Sequence, residues 1–268
     1  MKNKDIEGQW DDAADSWVDF VRKGKDWTRE YLNNPAMFDL LGDIEGKMVL
    51  DLGCGEGYNS RIMAKKGANV SGVDISKKLI DHAVEKEKKE GFGIDYHITD
   101  SSDLGMFEDS TFDIVASFMT LMDIDDCQGT IDEVSRVLKE GGRFIFSITH
   151  PCFEVRILEG KKIEGWEFEK GSVDEVPYWT KDKSYDEAAY FKVDRYYDTR
   201  KDVIEWKMER LKEQFTTTSF HRTLSEYFDM LSGAGFLVSN LKEPKPTEEG
   251  LEKHPEYFKG NLRIPQSV

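Results

Sequence analysis

The chain has 268 residues, and its 53 acidic residues against 37 basic ones give a formal net charge of −16. A chain of this length buries a complete core and favours one domain with an insertion. The acidity argues against a nucleic-acid partner, because surfaces that bind nucleic acids neutralise phosphates with lysine and arginine. No apolar run approaches the ~20 residues that span a bilayer, and the N-terminus lacks the apolar segment of a signal peptide.

The cysteine pattern bounds the compartment and the metal chemistry. Cys54, Cys127 and Cys152 have no metal-site spacing and form no even set for disulfides. We therefore expect no metal and a reducing, cytoplasmic location. The oligomeric state is left open by the sequence.

The first 41 residues have the apolar spacing of helices, with a break at Asn33, Asn34 and Pro35. The pattern predicts an N-terminal helical cap over residues 1–41. This cap either packs against the core or closes over a ligand as a lid. In the second case the side chains expected to reach the ligand are Trp17, Arg22 and Tyr31.

The stretch from residue 48 to residue 57 predicts a ligand-binding loop. An apolar run ends at Asp51, glycines follow at alternate positions, and a helical pattern begins near Tyr58. Glycines there let backbone N–H groups approach a ligand closely. The dinucleotide fingerprint G-x-G-x-x-G would place its third glycine at Tyr58. An acid before the glycines also suits a ligand with an ammonium group better than one with a pyrophosphate.

From residue 42 to residue 151 strand patterns alternate with helical ones, which predicts a parallel sheet with crossovers. The predicted strands cover residues 48–52, 69–73, 94–99, 112–118 and 144–148. Ligands bind beyond the carboxyl ends of such strands. The polar residues expected at that edge are Asp51, Asp74, Asp100 and Ser117.

The aromatic, charged stretch 152–221 interrupts this alternation and predicts an antiparallel β-rich insertion. Residues 189–197 and 203–210 predict a hairpin, and residues 215–220 a further strand. The insertion leaves the sheet after strand five, so it begins on the ligand-binding side. It forms either a roof over the active site or a flap that is peripheral or takes part in dimerisation.

Residues 222–268 are expected to return to the core. Thr223 and Glu226 have the spacing of a capping box that opens a helix. Residues 236–241 predict a strand, and residues 263–268 predict a last strand that is cut short where the sequence ends.

Residues 49–57 closely resemble motif I of the class I S-adenosylmethionine (SAM)-dependent methyltransferases. The resemblance extends closely over 48–150 and loosely over 222–242. It implies a Rossmann-like, doubly wound, seven-stranded, mostly parallel α/β sheet whose last strand is antiparallel. It also implies SAM as cofactor, S-adenosyl-L-homocysteine as product, and a small-molecule acceptor of the kind used by quinone, sterol and amine methylases.

The resemblance implies a role for each residue of the glycine loop. Asp51 is expected near the methionine end of SAM. The close backbone wall is expected from Gly53, Cys54, Gly55 and Gly57.

The resemblance also implies roles for the ends of the next three strands. Asp74, followed by Ile75, is expected to accept both ribose hydroxyls, because the paired oxygens of a carboxylate suit a vicinal diol. Asp100 and Ser101 are expected to hold the adenine. The residues expected around the sulfonium are Ser117, Phe118, Met119 and Met122.

Methyl transfer from a sulfonium needs alignment and exclusion of water more than acid–base chemistry. A general base is required only for an acceptor that is protonated at the working pH. His150 and His221 are candidate bases, since both are predicted at the ligand edge and histidine titrates in the useful range. Each is also a candidate structural histidine. Arg222 is a candidate anchor for an acidic acceptor.

Two other functions stay open. One is a SAM-binding protein without catalysis. The other is a nicotinamide-dependent oxidoreductase, against which Tyr58 and the Asp100–Ser101 pair argue.

Overall fold

The computed structural model describes residues 4–154, 156–158, 161–168, 188–208 and 210–268. The predicted insertion is therefore described only in part, and its aromatic residues Tyr178, Trp179 and Tyr185 lie outside the described residues. Within the described ranges, no helix is both long and apolar enough to cross a membrane.

The N-terminal residues form helices, as the apolar spacing indicated. Helix α1 covers Lys4–Arg22, a π-helical segment covers Arg29–Asn33, and α2 covers Asn34–Leu41. The expected break at Asn33–Pro35 is a change of helix type, because Pro35 occupies the first turn of α2, where its missing N–H costs nothing.

Helix α1 is attached to two different parts of the molecule. Asp11 accepts a hydrogen bond from the Ser76 hydroxyl over 2.7 Å, at the start of a core helix. The Ser16 hydroxyl donates to the carbonyl of Glu213 over 2.7 Å, in the chain that leads into the antiparallel part of the fold. One helix thus touches both the parallel core and the antiparallel insertion.

The core is a parallel sheet of five strands in the order β3-β2-β1-β4-β5. Its strands are β1 (Met48–Leu52), β2 (Asn69–Asp74), β3 (Asp95–Ile98), β4 (Phe112–Phe118) and β5 (Leu138–Ser147). The central strands β1 and β4 are almost fully buried, as expected for parallel strands covered by helices on both faces. The five predicted parallel strands are confirmed.

Three helices cross between these strands: α3 (Tyr58–Lys65), α4 (Lys77–Glu90) and α5 (Cys127–Val137). The Ser76 side chain caps α4 by accepting from the Leu79 N–H over 3.2 Å. Gly91, at a φ of +70°, ends the helix in the left-handed conformation that favours glycine.

The connection from α5 to β5 differs from the prediction. The fifth strand was predicted to begin at residue 144, but α5 ends at Val137 and β5 begins at once at Leu138. Phe112 pairs with Leu138 and Ile114 with Arg143, so the residues between form a bulge around Gly141.

The described part of the insertion forms two antiparallel sheets. One contains β6 (Arg156–Leu158), β7 (Lys161–Phe168) and β8 (Ala188–Lys192), and the other contains β9 (Arg200–Trp206) and β10 (Phe215–His221). The predicted hairpin between 189–197 and 203–210 is wrong, because β8 pairs with β7 and β9 pairs with β10. Alternation of apolar residues indicates a strand but does not specify its partner.

The last part of the chain contains α-helices but not the two strands that were predicted there. The helices are α6 (Leu224–Gly233), α7 (Glu248–Lys253) and α8 (Pro255–Phe258). The capping box at Thr223 and Glu226 is confirmed. Phe228 of α6 is 40% exposed.

The expected seven-stranded sheet is not formed in the described part of the chain. Residues 236–241 contain no strand, and Leu237 there is 95% exposed. The expected last strand reduces to one antiparallel bridge, between Thr149 and Ser267. Ile148 and Val268 exchange backbone hydrogen bonds of 2.9 and 3.1 Å beside it, so the contact is antiparallel but too short to extend the sheet.

Candidate functional site

A cavity of about 800 Å³ lies at the carboxyl ends of the parallel strands, where ligands bind in sheets of this type. Helix α1, the π-helical segment and the antiparallel strands enclose it. The predicted cofactor residues on its wall are Asp51, Gly53, Cys54, Gly55, Asp74, Ile75, Asp100, Ser101, Phe118, Met119 and Met122. Gly57 and Ser117 are not on the wall.

The three loop glycines have different reasons to be glycine. All have positive φ, +73° at Gly53, +55° at Gly55 and +78° at Gly57. A Cβ at Gly53 would lie 2.2 Å from Cγ2 of Thr120, and a Cβ at Gly57 would lie 2.2 Å from Oη of Tyr96. A Cβ at Gly55 would meet no protein atom within 4 Å. Gly55 is therefore the place where the bare backbone opens onto the cavity.

Asp74 joins the end of β2 to this loop. Its carboxylate accepts the Gly55 N–H over 2.8 Å and the Ser76 N–H over 2.9 Å. Burial raises the pKa of Asp74 to about 6, although the two N–H donors oppose the rise. A carboxylate has about four lone-pair positions, so Asp74 keeps acceptor capacity for two hydroxyl groups.

Asp51 is a buried carboxyl group, 1% exposed, at the end of β1. It accepts a short hydrogen bond from the Ser60 hydroxyl. Burial raises the pKa of Asp51 to about 7; the Asp74 carboxylate adds to the rise, and the Ser60 hydrogen bond and the Arg29 charge oppose it. A cation bound nearby would favour the ionised form.

Arg29 is a cavity residue that the sequence did not indicate. Its guanidinium lies 5.3 Å from the ring centroid of Trp17 and 5.4 Å from that of Tyr58. Arg29 begins the π-helical segment, and such segments recur at functional sites. Cation–π contacts with the two rings hold the guanidinium at the end of the cavity where Asp51 lies.

Of the three predicted lid residues only Trp17 lines the cavity. Arg22 instead donates to the Glu56 carboxylate over 2.8 Å and to the carbonyl of His82 over 3.0 Å. The ring of Tyr31 packs against His254, at a centroid distance of 5.6 Å. Arg22 and Tyr31 thus hold the N-terminal helices onto neighbouring elements.

Asp100 and Ser101, predicted for adenine, line the opposite part of the cavity. Asp100 accepts hydrogen bonds of 3.0 Å from both the N–H and the hydroxyl of Ser102. The Ser101 hydroxyl lies 2.9 Å from that of Thr130. These contacts fix the turn after β3 in one conformation.

The end of β4 turns sharply beside the glycine loop. Met119 has a φ of +55°, which is uncommon for a residue with a side chain, and its N–H donates to the Ser147 carbonyl over 3.0 Å. Thr120 follows and packs on Gly53. Ser117 is fully buried, because the alternation of β4 directs it into the core.

His150 and His221, the predicted bases, are buried outside the cavity wall. Nε2 of His150 lies 3.0 Å from Glu243, and its Nδ1 accepts the Cys152 N–H over 3.2 Å. Nε2 of His221 lies 2.8 Å from the carbonyl of Tyr196. A role for either as a general base stays a prediction, and these contacts favour a structural role.

Arg222, the predicted anchor for an acidic acceptor, is also outside the wall. It donates to the carbonyls of Leu121, Ile124 and Asp125 over 3.3, 2.6 and 2.9 Å. Arg222 therefore holds the turn after β4 and has its donors directed away from the cavity.

The cavity wall also includes carboxylates that the sequence did not indicate, among them Asp123 and Glu154. Asp123 ends a 3₁₀ turn, Leu121–Asp123. Burial raises the pKa of Asp123 to about 8; the charge of Glu154 adds to the rise, and a hydrogen bond from Ser219 opposes it. The position of Asp123 after β4 is visible in the sequence, but its burial depends on the distant strand β10.

Comparison with known proteins identifies the domain. The family model of the methyltransferase domain matches residues 50–146. An uncharacterised protein of Haemophilus influenzae is 27% identical over 221 residues, 80% of this chain and 77% of its own length. A ubiquinone biosynthesis O-methyltransferase of Coxiella burnetii is 32% identical over 155 residues, 57% of this chain and 64% of its own length, which is less than two thirds.

Solved structures agree over most of the chain. A SAM-dependent methyltransferase of Mesorhizobium loti has a TM-score of 0.65 at 24% identity, with 87% of this chain and 93% of that chain covered. A protein of Listeria monocytogenes, proposed to be a SAM-dependent methyltransferase, has a TM-score of 0.66 at 26% identity, with 88% and 93% covered. Residues 50–146 therefore form a methyltransferase domain, and the chain is similar over most of its length to SAM-dependent methyltransferases.

Proposed function

We propose that the protein transfers a methyl group from SAM to a small-molecule acceptor that binds in the same cavity. The observation that carries this proposal is the continuity of the cavity. Its wall runs from the glycine loop and Asp74 to the aromatic side chains of the antiparallel strands. One enclosed space thus has room for a cofactor and for an acceptor beside it.

The glycine loop and Asp74 can accommodate the ribose of SAM. Gly55 leaves open space where a Cβ would stand, and Asp74 beside it keeps acceptor capacity. A nucleoside can therefore approach the loop backbone while its two hydroxyls donate to Asp74. Asp100 and Ser101, on the same wall, would hold the base.

The amino-acid end of SAM fits the pair formed by Asp51 and Arg29. That end carries an ammonium and a carboxylate. The ammonium pairs with an anion, and the carboxylate pairs with a planar cation. Asp51 supplies the first, and Arg29, fixed between Trp17 and Tyr58, supplies the second. The residues present therefore fit the cofactor of the family.

When bound, SAM supplies a methyl group on a positively charged sulfur, which is already an activated electrophile. The task left to the chain is to align the acceptor and to exclude water. Trp17 on α1 packs edge-to-face on Trp206 of β9, with ring centroids 5.4 Å apart. This contact closes the cavity between the N-terminal helices and the insertion.

A small-molecule acceptor is supported by the relatives and by charge. Several relatives carry the name ubiquinone biosynthesis O-methyltransferase. The net charge of −16 disfavours a nucleic-acid acceptor. The matched domain ends at residue 146, before the antiparallel strands that line the cavity. The match to the family therefore does not identify the acceptor.

Calorimetry with S-adenosylhomocysteine and with NAD tests the cofactor. We expect binding of S-adenosylhomocysteine and no binding of NAD; the reverse result would overturn the proposal in favour of an oxidoreductase. A methyl-transfer screen over metabolite pools then tests catalysis. Binding of S-adenosylhomocysteine with no transfer to any pool would favour a non-catalytic SAM-binding protein.

A further inference from the structure

The part of the cavity beyond the sulfonium position, which we name the acceptor half, combines carboxylates with aromatic rings. Its carboxylates are Asp123 and Glu154, and its rings are Phe153, Trp166 and Phe191. The proposed function gives this half no residue roles. Its chemistry therefore bears on which acceptor the protein takes.

Asp123 is fixed in relation to the cofactor loop. Its N–H donates to the carbonyl of Thr120 over 2.8 Å, and Thr120 packs directly on Gly53. Arg222 binds the carbonyls of the same turn from behind. These contacts hold Asp123 close to the glycine loop, which is proposed to face the cofactor.

The wall of the cavity has few basic residues. Among the described residues of the cavity wall, Arg29 and Lys207 are the basic ones. Arg29 lies between two rings at the cofactor end, and Lys207 lies 2.8 Å from Glu205. No described lysine or arginine forms a salt bridge with Asp123.

The aromatic rings add attraction for a cation. Trp166 and Phe191 meet edge-to-face at 5.4 Å, and Phe153 meets Phe191 in the same way at 5.8 Å. The guanidinium of Arg263 lies 4.6 Å from the centroid of Trp166. Ring faces attract cations through their quadrupoles, and one face of Trp166 already holds one.

We propose, on the basis of the proposed function, that the acceptor is an amine held as its ammonium ion by Asp123, with Glu154 as the second carboxylate. An ammonium donates to carboxylate oxygens and lies against ring faces, so both features of this half contribute to its binding. His221 is a positioning residue, because its Nδ1 lies 3.8 Å from Oε2 of Glu154 on the side away from the cavity.

Asp123 can also accept the proton that the ammonium must lose before it is methylated. An ammonium nitrogen has no lone pair, so one N–H proton passes to the Asp123 carboxylate. The freed nitrogen lone pair then forms the new bond to the methyl carbon, while the carbon–sulfur bond pair leaves with sulfur. The positive charge moves from sulfur to the methylated nitrogen, and Asp123 releases its proton to water as the product leaves. Burial alone, with a pKa of about 8, keeps the Asp123 carboxyl largely protonated at neutral pH, and a bound ammonium favours the ionised form that accepts the proton.

The test compares amines with neutral alcohols of the same shape. Protein saturated with S-adenosylhomocysteine is titrated with 2-phenylethylamine and 2-phenylethanol, and with tryptamine and tryptophol. Binding is followed by tryptophan fluorescence at about pH 8.5, where Asp123 is ionised and alkylamines keep their proton. We expect the amine to bind at least about tenfold tighter in one pair or both, because charge-assisted hydrogen bonds exceed neutral ones.

Asp123→Asn should remove the preference for the amine and leave the affinity for S-adenosylhomocysteine unchanged. Asp125→Asn, in the same turn but off the cavity wall, is the matched control and should keep both. Tighter binding of the alcohols, equal binding, no binding of either amine, or a preference that survives Asp123→Asn would overturn the amine assignment. Failure to bind S-adenosylhomocysteine, measured first, would instead count against the proposed function.

Discussion

The backbone N–H of Gly55 donates a 2.8 Å hydrogen bond to the carboxylate of Asp74. This contact joins the glycine loop after β1 to the end of β2, so one side chain fixes the loop and also lines the cavity. The strand end and the loop are 19 residues apart in the sequence, and the parallel pairing of β1 with β2 brings them together.

Asp74→Ala is expected to weaken S-adenosylhomocysteine binding by at least about tenfold, since the variant loses the ribose acceptor and the tether of Gly55. Calorimetry measures the affinity. Asp81→Ala, on the exposed face of α4, is the control and should bind as the wild type does. Unchanged affinity in Asp74→Ala would remove Asp74 from the ribose site.

Gly53→Ala and Gly55→Ala separate packing from ligand access. Both impose about 1–2 kcal/mol of left-handed backbone strain, but only the Cβ at position 53 collides with Thr120. We expect a clearly larger fall in the midpoint of thermal unfolding for Gly53→Ala. Gly55→Ala should stay folded and lose affinity for S-adenosylhomocysteine. Equal thermal shifts would contradict the assigned difference.

The free energy of unfolding should depend on pH through Asp51. Its folded-state pKa of about 7 lies above the unfolded value of 3.8, so between these limits the folded state holds a proton that the unfolded state lacks. Stability from this group is therefore present at low pH and is lost as pH rises from about 4 to about 7. Urea titrations at several pH values should show a smaller decline in Asp51→Asn. A decline of the same size would show that other groups, such as Asp74, account for it.

Arg29→Ala tests the amino-acid end of the cofactor site. The variant should lose at least about tenfold in affinity for S-adenosylhomocysteine, the usual effect of losing a charge-assisted contact. Its affinity for 5′-methylthioadenosine, which lacks the amino acid, should not change. Arg22→Ala, at a residue that is off the cavity wall although its partner Glu56 lines it, serves as a comparison. Equal losses for both ligands would assign Arg29 a structural role.

Arg222→Met tests the turn that carries Asp123. The substitution keeps the aliphatic stem and removes the donors to three carbonyls. We expect a loss of about 2 kcal/mol in the free energy of unfolding, from the range for hydrogen bonds to charged groups. Lys201→Met, at an exposed position on β9, should leave the unfolding midpoint unchanged. Equal stability of the two variants would contradict the role of Arg222.

The sequence predicted the parts of the fold that depend on local signals. The bounds of β1 and β4 agree residue for residue, and the capping box at Thr223 forms as expected. The strand partners in the insertion did not follow, because pairing of β9 with β10 depends on contacts such as Trp206 with Phe215, whose stacked rings lie 5.6 Å apart. Local alternation carries no information about such a partner.

The placement of Asp74 and Asp100 on the cavity wall was predictable, because parallel topology alone brings strand ends to one edge. Their roles towards the cofactor stay predictions. Arg29 was missed because no sequence signal marks the π-helical segment, and Asp123 because its burial comes from β10. His221 was selected by its place along the chain, whereas its contact with the Tyr196 carbonyl is a property of the tertiary structure.

Helix α1 has contacts at both ends of the cavity. Arg22 binds Glu56 beside the glycine loop, and Ser16 binds the chain before β10. A ligand that binds on one side therefore orders α1. A second ligand on the other side then causes a smaller loss of conformational entropy when it binds. Thermodynamic reciprocity then requires cofactor and acceptor to raise each other's affinity by the same factor, whichever binds first.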